Sequence, residues 1–288
     1  MGACCAGGKA SKVDPARRLR YTRAMPQPKR AAERASVRPP VQTVESIVVL
    51  TGAGVSQDSG VPTFRDAQGL WEGLRVEDVA TPEAWQRDPA LVWRFYQLRR
   101  AALARVAPNA AHLALARLER ALAARGVPFL LVSQNVDDLH RRAGSEALID
   151  MHGQLRRLRC EACGAPDWNE ADLDPEAFVP CPTCGHARLR PDVVWFGEVP
   201  YGLAAIERAV ARCTRFLCIG TSGAVYPAAG YLAYARANGA RCVVNALERP
   251  ENVREDVPGQ DNAVEFVPGR AAEVVPRLVE ACLGELAT

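Results

Sequence analysis

From Ser46 onward the chain alternates short apolar runs with longer stretches whose apolar positions recur at helical spacing. The runs predict strands at Ile47–Leu50, Phe129–Ser133, Leu148–Met151, Val193–Phe196, Phe216–Ile219, Cys242–Asn245 and Ala263–Phe266. The longer stretches predict helices at Pro89–Val106, Asn109–Arg125, Gly202–Arg212, Pro227–Asn238 and Ala271–Gly284. Short apolar strands separated by helices argue for a parallel sheet covered on both faces. Right-handed crossovers then make the fold α/β, a Rossmann-like doubly wound parallel sheet. Two segments break the alternation and are read as insertions forming a smaller lobe: a helical one over 67–106 and an irregular, cysteine-bearing one over 155–189. The core would then comprise 44–66, 107–154 and 190–288, preceded by a tail over 1–43.

The totals narrow the class. The chain has 288 residues and a hydrophobic content of 48%, enough to bury a sizeable core. No apolar run reaches the ~18 residues of a membrane-spanning helix. The net charge of +3 hides an asymmetry: residues 1–40 hold ten Lys/Arg and two acids, a net +8, which leaves −5 on the rest. A mildly acidic body is not built to grip nucleic acid. The Arg-rich, Pro-containing tail predicts disorder. Its acid-poor start resembles an organelle transit peptide, so a mitochondrial location is expected. Met1-Gly2 followed by Cys4 and Cys5 suggests lipid tethering instead, although Ala6 stands where a myristoylation signal has Ser or Thr. A plain cytoplasmic chain with a solvated basic tail is the third possibility.

Ten cysteines in a chain of this length do not suggest a secreted disulfide framework. Cys213, Cys218, Cys242 and Cys282 sit in apolar segments and are expected in the core. The other pattern is sharper. Cys160 and Cys163 form one C-x-x-C pair, and Cys181 and Cys184 a second, with 17 residues between the pairs. Two such turns complete a tetrahedron of thiolates around zinc, with no position left open for water, so the predicted zinc is structural.

Candidate chemistry lies at strand ends. Gly52-Ala53-Gly54 follows the first strand, where bare backbone N–H groups can cradle a pyrophosphate. The same loop ends in Phe64 and Arg65, a flat ring and a positive charge. Gln134, Asn135 and Asp137 follow another strand and suit ribose hydroxyls and a carboxamide. His152 stands at a strand end beside Gly153, with the ordinary pKa of a general base. Singly, each has a plain structural reading.

Taken in order, GAGVSQDSGVPTFR, QNVDDLH, MHG, the four cysteines, RPDVVWFGE, GTSGAVYPAA and VNALE resemble the sirtuin family, the NAD-dependent protein-lysine deacylases, over roughly Ser46 to Arg277. The resemblance implies that Gly52, Ala53, Gly54, Phe64 and Arg65 hold NAD. It implies that Gln134, Asn135 and Asp137 line the nicotinamide and ribose pocket, and that His152 and Asn135 are catalytic, His152 as general base. Gly220, Thr221 and Ser222 would meet the phosphate and ribose, and Asn245 and Glu248 the adenosine ribose. The stretch Val194–Glu198, with Phe196 and Gly197, would pair with an acylated-lysine protein substrate as an added strand. NAD would be consumed, giving nicotinamide, O-acyl-ADP-ribose and free lysine. Gln57-Asp58 and Asp138 depart from the residues usual in the family.

The helical insertion ATPEAWQRDPALVWRFYQLRR is similar to the branch that removes succinyl, malonyl or glutaryl groups. Tyr96 and Arg99, at i and i+3, would bind the acyl carboxylate, and Ala80 would leave room for a longer chain. A plain deacetylase, an ADP-ribosyltransferase on the same scaffold and a zinc-ribbon binding module with a dead pocket are the alternatives. A pure binder has no reason to keep Arg65, Asn135, Asp137 and His152 together.

Overall fold

The computed structural model describes residues 45–62, 70–71, 73–168, 172–250, 253 and 264–286. The basic tail with Gly2, Cys4 and Cys5, the loop residues Phe64 and Arg65, and Ala263 lie outside the described residues.

The chain opens with β1 (Ile47–Thr51), two 3-10 turns over 53–59, the hairpin of β2 (Leu70–Trp71) and β3 (Leu74–Arg75), then α1 (Val76–Val79), α2 (Pro82–Arg87), α3 (Pro89–Leu103) and α4 (Ala110–Ala123). It continues with β4 (Phe129–Ser133), α5 (Leu139–Arg142), β5 (Leu148–Asp150), β6 (Gly153–Cys160), β7 (Pro166–Trp168) and β8 (Leu189–Val193). It closes with α6 (Leu203–Val210), β9 (Arg215–Ile219), α7 (Ala228–Ala237), β10 (Arg241–Ala246), β11 (Val264–Pro268) and α8 (Ala271–Glu285).

Six strands form one parallel sheet in the order β11-β10-β9-β1-β4-β5. Read from the β5 edge and numbered along the chain, this is the dinucleotide-binding order 3-2-1-4-5-6. The order reverses between β1 and β9, and ligands of such sheets bind beyond the strand ends at that point.

Alternation along β1 explains the two-sided core. Val48 and Leu50 face one layer, where they pack with Phe216, Cys218, Val244 and residues of α6 and α7. Ile47 and Val49 face the other, with Leu131, Leu217, α4 and α8. Cys213, Cys218, Cys242 and Cys282 are buried free thiols in these layers. Helix starts follow from their caps: Thr81 accepts the Ala84 N–H, Asp88 the Leu91 N–H ahead of Pro89, and Asn109 the Ala111 N–H.

The irregular segment is more ordered than its sequence suggests. β6, β7 and β8 form a separate antiparallel sheet in the order β7-β6-β8. The predicted strand Val193–Phe196 is corrected here: β8 ends at Val193 and belongs to this sheet, not the parallel one. The chain bends after it because the Trp195 N–H turns to the Glu198 carboxylate and the Phe196 N–H to the Ala80 carbonyl. Both insertions share one core. Trp85, Trp93 and Tyr96 from the helices pack with Leu155, Leu158, Cys160, Cys181, Leu189 and Trp195. Each large side chain so buried contributes roughly 1.5–3 kcal/mol.

Candidate functional site

The loops after β1, β4, β9 and β10 meet at the switch point. The Gly52 N–H bonds to the Ile219 carbonyl and the Gly54 N–H to the Gly220 carbonyl, so the first loop is laced to the loop after β9. The glycines are needed for that approach. A Cβ on Gly52 would lie 2.8 Å from the Gly220 oxygen, and one on Gly220, at φ 63°, 2.4 Å from the Val55 nitrogen. Ser222 beside them is exposed and its hydroxyl accepts the Ala224 N–H.

After β4, Gln134 reaches across the crevice. Its side-chain amide donates to the Thr51 carbonyl and the Thr221 hydroxyl, tying three loops together. Asn135 donates to Ser56 Oγ at 3.0 Å, and Ser56 in turn donates to Asp137 Oδ2 at 2.8 Å. Asp137 also accepts the Leu139 N–H, yet burial pushes its carboxyl up. Beneath lie two imidazoles whose ring centres are 4.7 Å apart, His112 against Ser56 and His140 against the Thr51 hydroxyl. Burial lowers both, His112 to about 4, so both are neutral. Ser56, Thr51, His112 and His140 escape sequence reasoning because nothing in their spacing shows that they converge on Asn135 and Asp137.

His152 is placed by Gly153, whose φ of 79° turns the chain from β5 into β6. Its Nδ1 lies 2.8 Å from the Gln134 carbonyl, which can only accept, so Nδ1 carries the proton and Nε2 keeps the lone pair. Burial lowers the pKa of this ring, partly offset by that hydrogen bond. A neutral imidazole with a fixed tautomer is suited to accept a proton.

Asn245, at the end of β10, is buried and donates to the Val267 and Gly269 carbonyls. Its Oδ1 is a buried acceptor without a partner, as a ribose hydroxyl would require. Glu248 is exposed on the following turn. The switch-point crevice, its bare glycine backbone and this orphaned oxygen fit NAD. Two of the departures from the family pattern have partners within the protein: Asp58 accepts from Arg270 and from the Ala272 N–H at the start of α8, and Asp138 pairs with Arg156 at 2.9 Å.

The expected peptide-pairing stretch Val194–Glu198 is a turn, and most of its N–H groups are spent internally. Val194 donates to the His152 carbonyl at 2.8 Å, Phe196 to Ala80, and Glu198 to Trp195. Trp195 Nε1 donates to the Tyr96 hydroxyl at 3.0 Å. Tyr96 and Arg99 are both buried on α3, with the Arg99 guanidinium 5.5 Å over the Phe95 ring. Burial raises the Tyr96 hydroxyl pKa, and the Arg99 charge opposes the rise.

The four cysteines converge in the small lobe. Their sulfurs all lie within 4.8 Å of one another, with Cys160 to Cys184 at 3.6 Å and Cys163 to Cys181 at 3.8 Å. Tetrahedral zinc with bonds of about 2.3 Å needs sulfurs about 3.8 Å apart, so the cluster is a structural zinc site. Glu161, between the first two cysteines, accepts from Trp85, His186 and Arg188 and ties the knot to α2. Burial opposes ionisation of Glu161, but those three donors outweigh it and hold the carboxyl at about 2. A depression of about 540 Å³ between β5 and β6 is lined by Arg141, Asp150, Arg157, Asp192 and Tyr201 and contains none of the crevice residues.

The Sir2 family model matches residues 52–227. The chain is 48% identical over 254 residues to a protein of Escherichia coli K12 named NAD-dependent protein deacylase, covering 87% of this chain and 86% of that one. A protein of the same name from Caulobacter vibrioides is 47% identical, covering 84% and 99%. The solved complex of a Sir2 homologue with NAD superposes with a TM-score of 0.72 at 37% identity, covering 84% of this chain and 91% of that one. These relatives correct the mitochondrial location expected from the Arg-rich start, because they come from bacteria, which have no such organelle. Among the described residues no helix is long and apolar enough to cross a membrane. A family match over more than half of the chain, together with relatives nearly half identical across most of it, leaves one conclusion: the chain belongs to the Sir2 family.

Proposed function

We propose that this Sir2-family chain, an NAD-dependent protein deacylase, prefers lysine acyl groups that end in a carboxylate: succinyl, malonyl or glutaryl. One observation carries the preference. Tyr96 and Arg99 are buried one helical turn apart, and Tyr96 is hydrogen-bonded to Trp195, whose neighbour Val194 is bonded to the His152 backbone. The Tyr96 hydroxyl is thus tied to the same short segment as the candidate base, with Arg99 one helical turn away on α3. Arginine offers a carboxylate two parallel donors, which a neutral acetyl group cannot use. Ala80, buried and bonded through its carbonyl to the Phe196 N–H, is the small side chain that would make room for the longer acyl chain in this reading.

In this proposal Gly52, Gly54, Gly220 and Thr221 hold the phosphates, and Gln134, Asn135 and Asp137 orient the nicotinamide end. Asn245 accepts from the adenosine ribose at Oδ1. NAD, when bound, supplies an activated ADP-ribosyl group and releases nicotinamide. His152 takes the proton of the attacking hydroxyl at Nε2, while its Nδ1–H stays on the Gln134 carbonyl and holds the ring in place. The zinc braces the small lobe and takes no part in the chemistry.

The test is nicotinamide release from NAD with matched acetyl-, malonyl-, succinyl- and glutaryl-lysine peptides. Arg99→Met should cost the acidic peptides about 1.5–3 kcal/mol of transition-state stabilisation, about 10- to 150-fold in kcat/KM, and leave the acetyl peptide nearly unchanged. Equal efficiency on the acetyl peptide in the unaltered enzyme would overturn the preference. Covalent labelling of a protein by ADP-ribose in place of deacylation would overturn the reaction.

A further inference from the structure

Arg190 has no role in the functions above, yet it is among the most constrained side chains of the small lobe. It lies on β8 and is buried. Its two terminal nitrogens meet both oxygens of Glu198, at 2.7 and 2.9 Å, and one of them also donates to the Val193 carbonyl at 3.0 Å. The guanidinium carbon stands 3.4 Å from the centre of the Trp195 ring. Glu198 also accepts the Trp195 N–H at 2.9 Å and Arg159 at 2.8 Å.

This clamp underlies the turn from which three contacts radiate. Val194 holds the His152 carbonyl, Trp195 holds the Tyr96 hydroxyl and Phe196 holds the Ala80 carbonyl. The His152 backbone and the Tyr96 hydroxyl are therefore linked through Val194 and Trp195, and Arg190 holds that segment through the Trp195 ring, the Val193 carbonyl and Glu198. A planar fork meets two carboxylate oxygens in parallel and lies flat on an indole at once, whereas lysine offers a point charge without the flat face or the fork.

We propose that Arg190 is a positioning residue that sets the spacing between His152 and the Tyr96–Arg99 pair and thereby selects acyl-chain length. The proposal rests on the acyl-pocket reading above.

The test uses the full zinc-loaded chain, the four acyl peptides, and the variants Arg190→Met, Arg190→Lys and Glu198→Gln. Arg190→Met should raise peptide KM about tenfold and flatten the spread of kcat/KM across acyl lengths by about fivefold, with the KM for NAD within about twofold. About one zinc per chain should be retained. Arg190→Lys, which keeps only the charge, should fall between Arg190→Met and the parent. A scaffold role alone would lower the melting temperature and scale kcat down equally for every peptide, with KM and the acyl profile unchanged; that result overturns the proposal. If Arg190→Met does not fold or loses zinc, Glu198→Gln is judged by the same criteria, because its amide oxygen can still accept the Trp195 N–H. If the parent enzyme shows no preference for acidic groups, the acyl-pocket reading fails. Arg190 is then judged on the acetyl peptide alone, where a KM rise of about tenfold sustains its positioning role and a change within about twofold ends it.

Discussion

Replacing Gly153 by alanine probes how His152 is held. Gly153 has φ 79°, a left-handed conformation that costs an alanine about 1–2 kcal/mol. The larger penalty is contact. An added Cβ would stand 2.0 Å from the Asp192 carbonyl oxygen and 3.0 Å from the Val193 Cα, both backbone. A carbon normally keeps about 3.3 Å from such an oxygen, so β6 and β8 must part by roughly 1.3 Å. Overpacking of this kind costs about 1–3 kcal/mol, giving about 2–5 kcal/mol in all. At about 2–4 °C per kcal/mol the melting temperature should fall by roughly 4–20 °C. The same movement pulls Val194 from the His152 carbonyl, so nicotinamide release should fall further than stability alone explains. Gly126→Ala is the control, since Gly126 has φ 68° and nothing within 4 Å of the point where an added Cβ would stand. It should show the conformational cost alone. Thermal melts of both variants, with peptide-dependent nicotinamide release, decide the matter. If Gly153→Ala is no less stable than Gly126→Ala and fully active, the argument from close approach is wrong.

Stability should fall in acid before any carboxylate pairs are lost. His112 is held neutral with a folded pKa of about 4 against an unfolded value near ~6.5, so the unfolded chain binds the extra proton between those values. Its contribution, about 3 kcal/mol, is present above pH ~6.5 and disappears as pH falls towards ~4; urea titrations that give a flat profile over this window would refute it. His152 is also lowered, so the acidic limb of kcat/KM should lie below ~6.5, and His152→Ala should abolish turnover while retaining zinc. An acidic limb above that value would exclude His152 as the base. Chelation of the zinc, or Cys181→Ser, should loosen the shared core of the small lobe and lower both melting temperature and turnover. Full activity without metal would deny the cluster its bracing role.

The sequence by itself determined the parallel core and the metal site. Buried strands such as Ile47–Thr51 are uninterrupted apolar runs, and two C-x-x-C turns suffice to define a tetrahedron of thiolates, because both patterns are local. The positions of Gly52, Gln134, Asn135, Asp137 and His152 just after strand ends follow from the same local pattern. What only the tertiary structure decided is non-local. The glycines of the first loop are required by the loop after β9 that they touch, which no spacing between residues 52 and 220 reveals. The Val193–Phe196 run is as apolar as a core strand, but the Val194 and Phe196 N–H groups go to His152 and Ala80, far along the chain, and the Trp195 N–H to Glu198 three residues on, so these partners overrode the apolar pattern. The buried pair His112 and His140 depends in the same way on which elements fold against one another. Its chemistry comes from burial and contact and is not encoded in neighbouring residues.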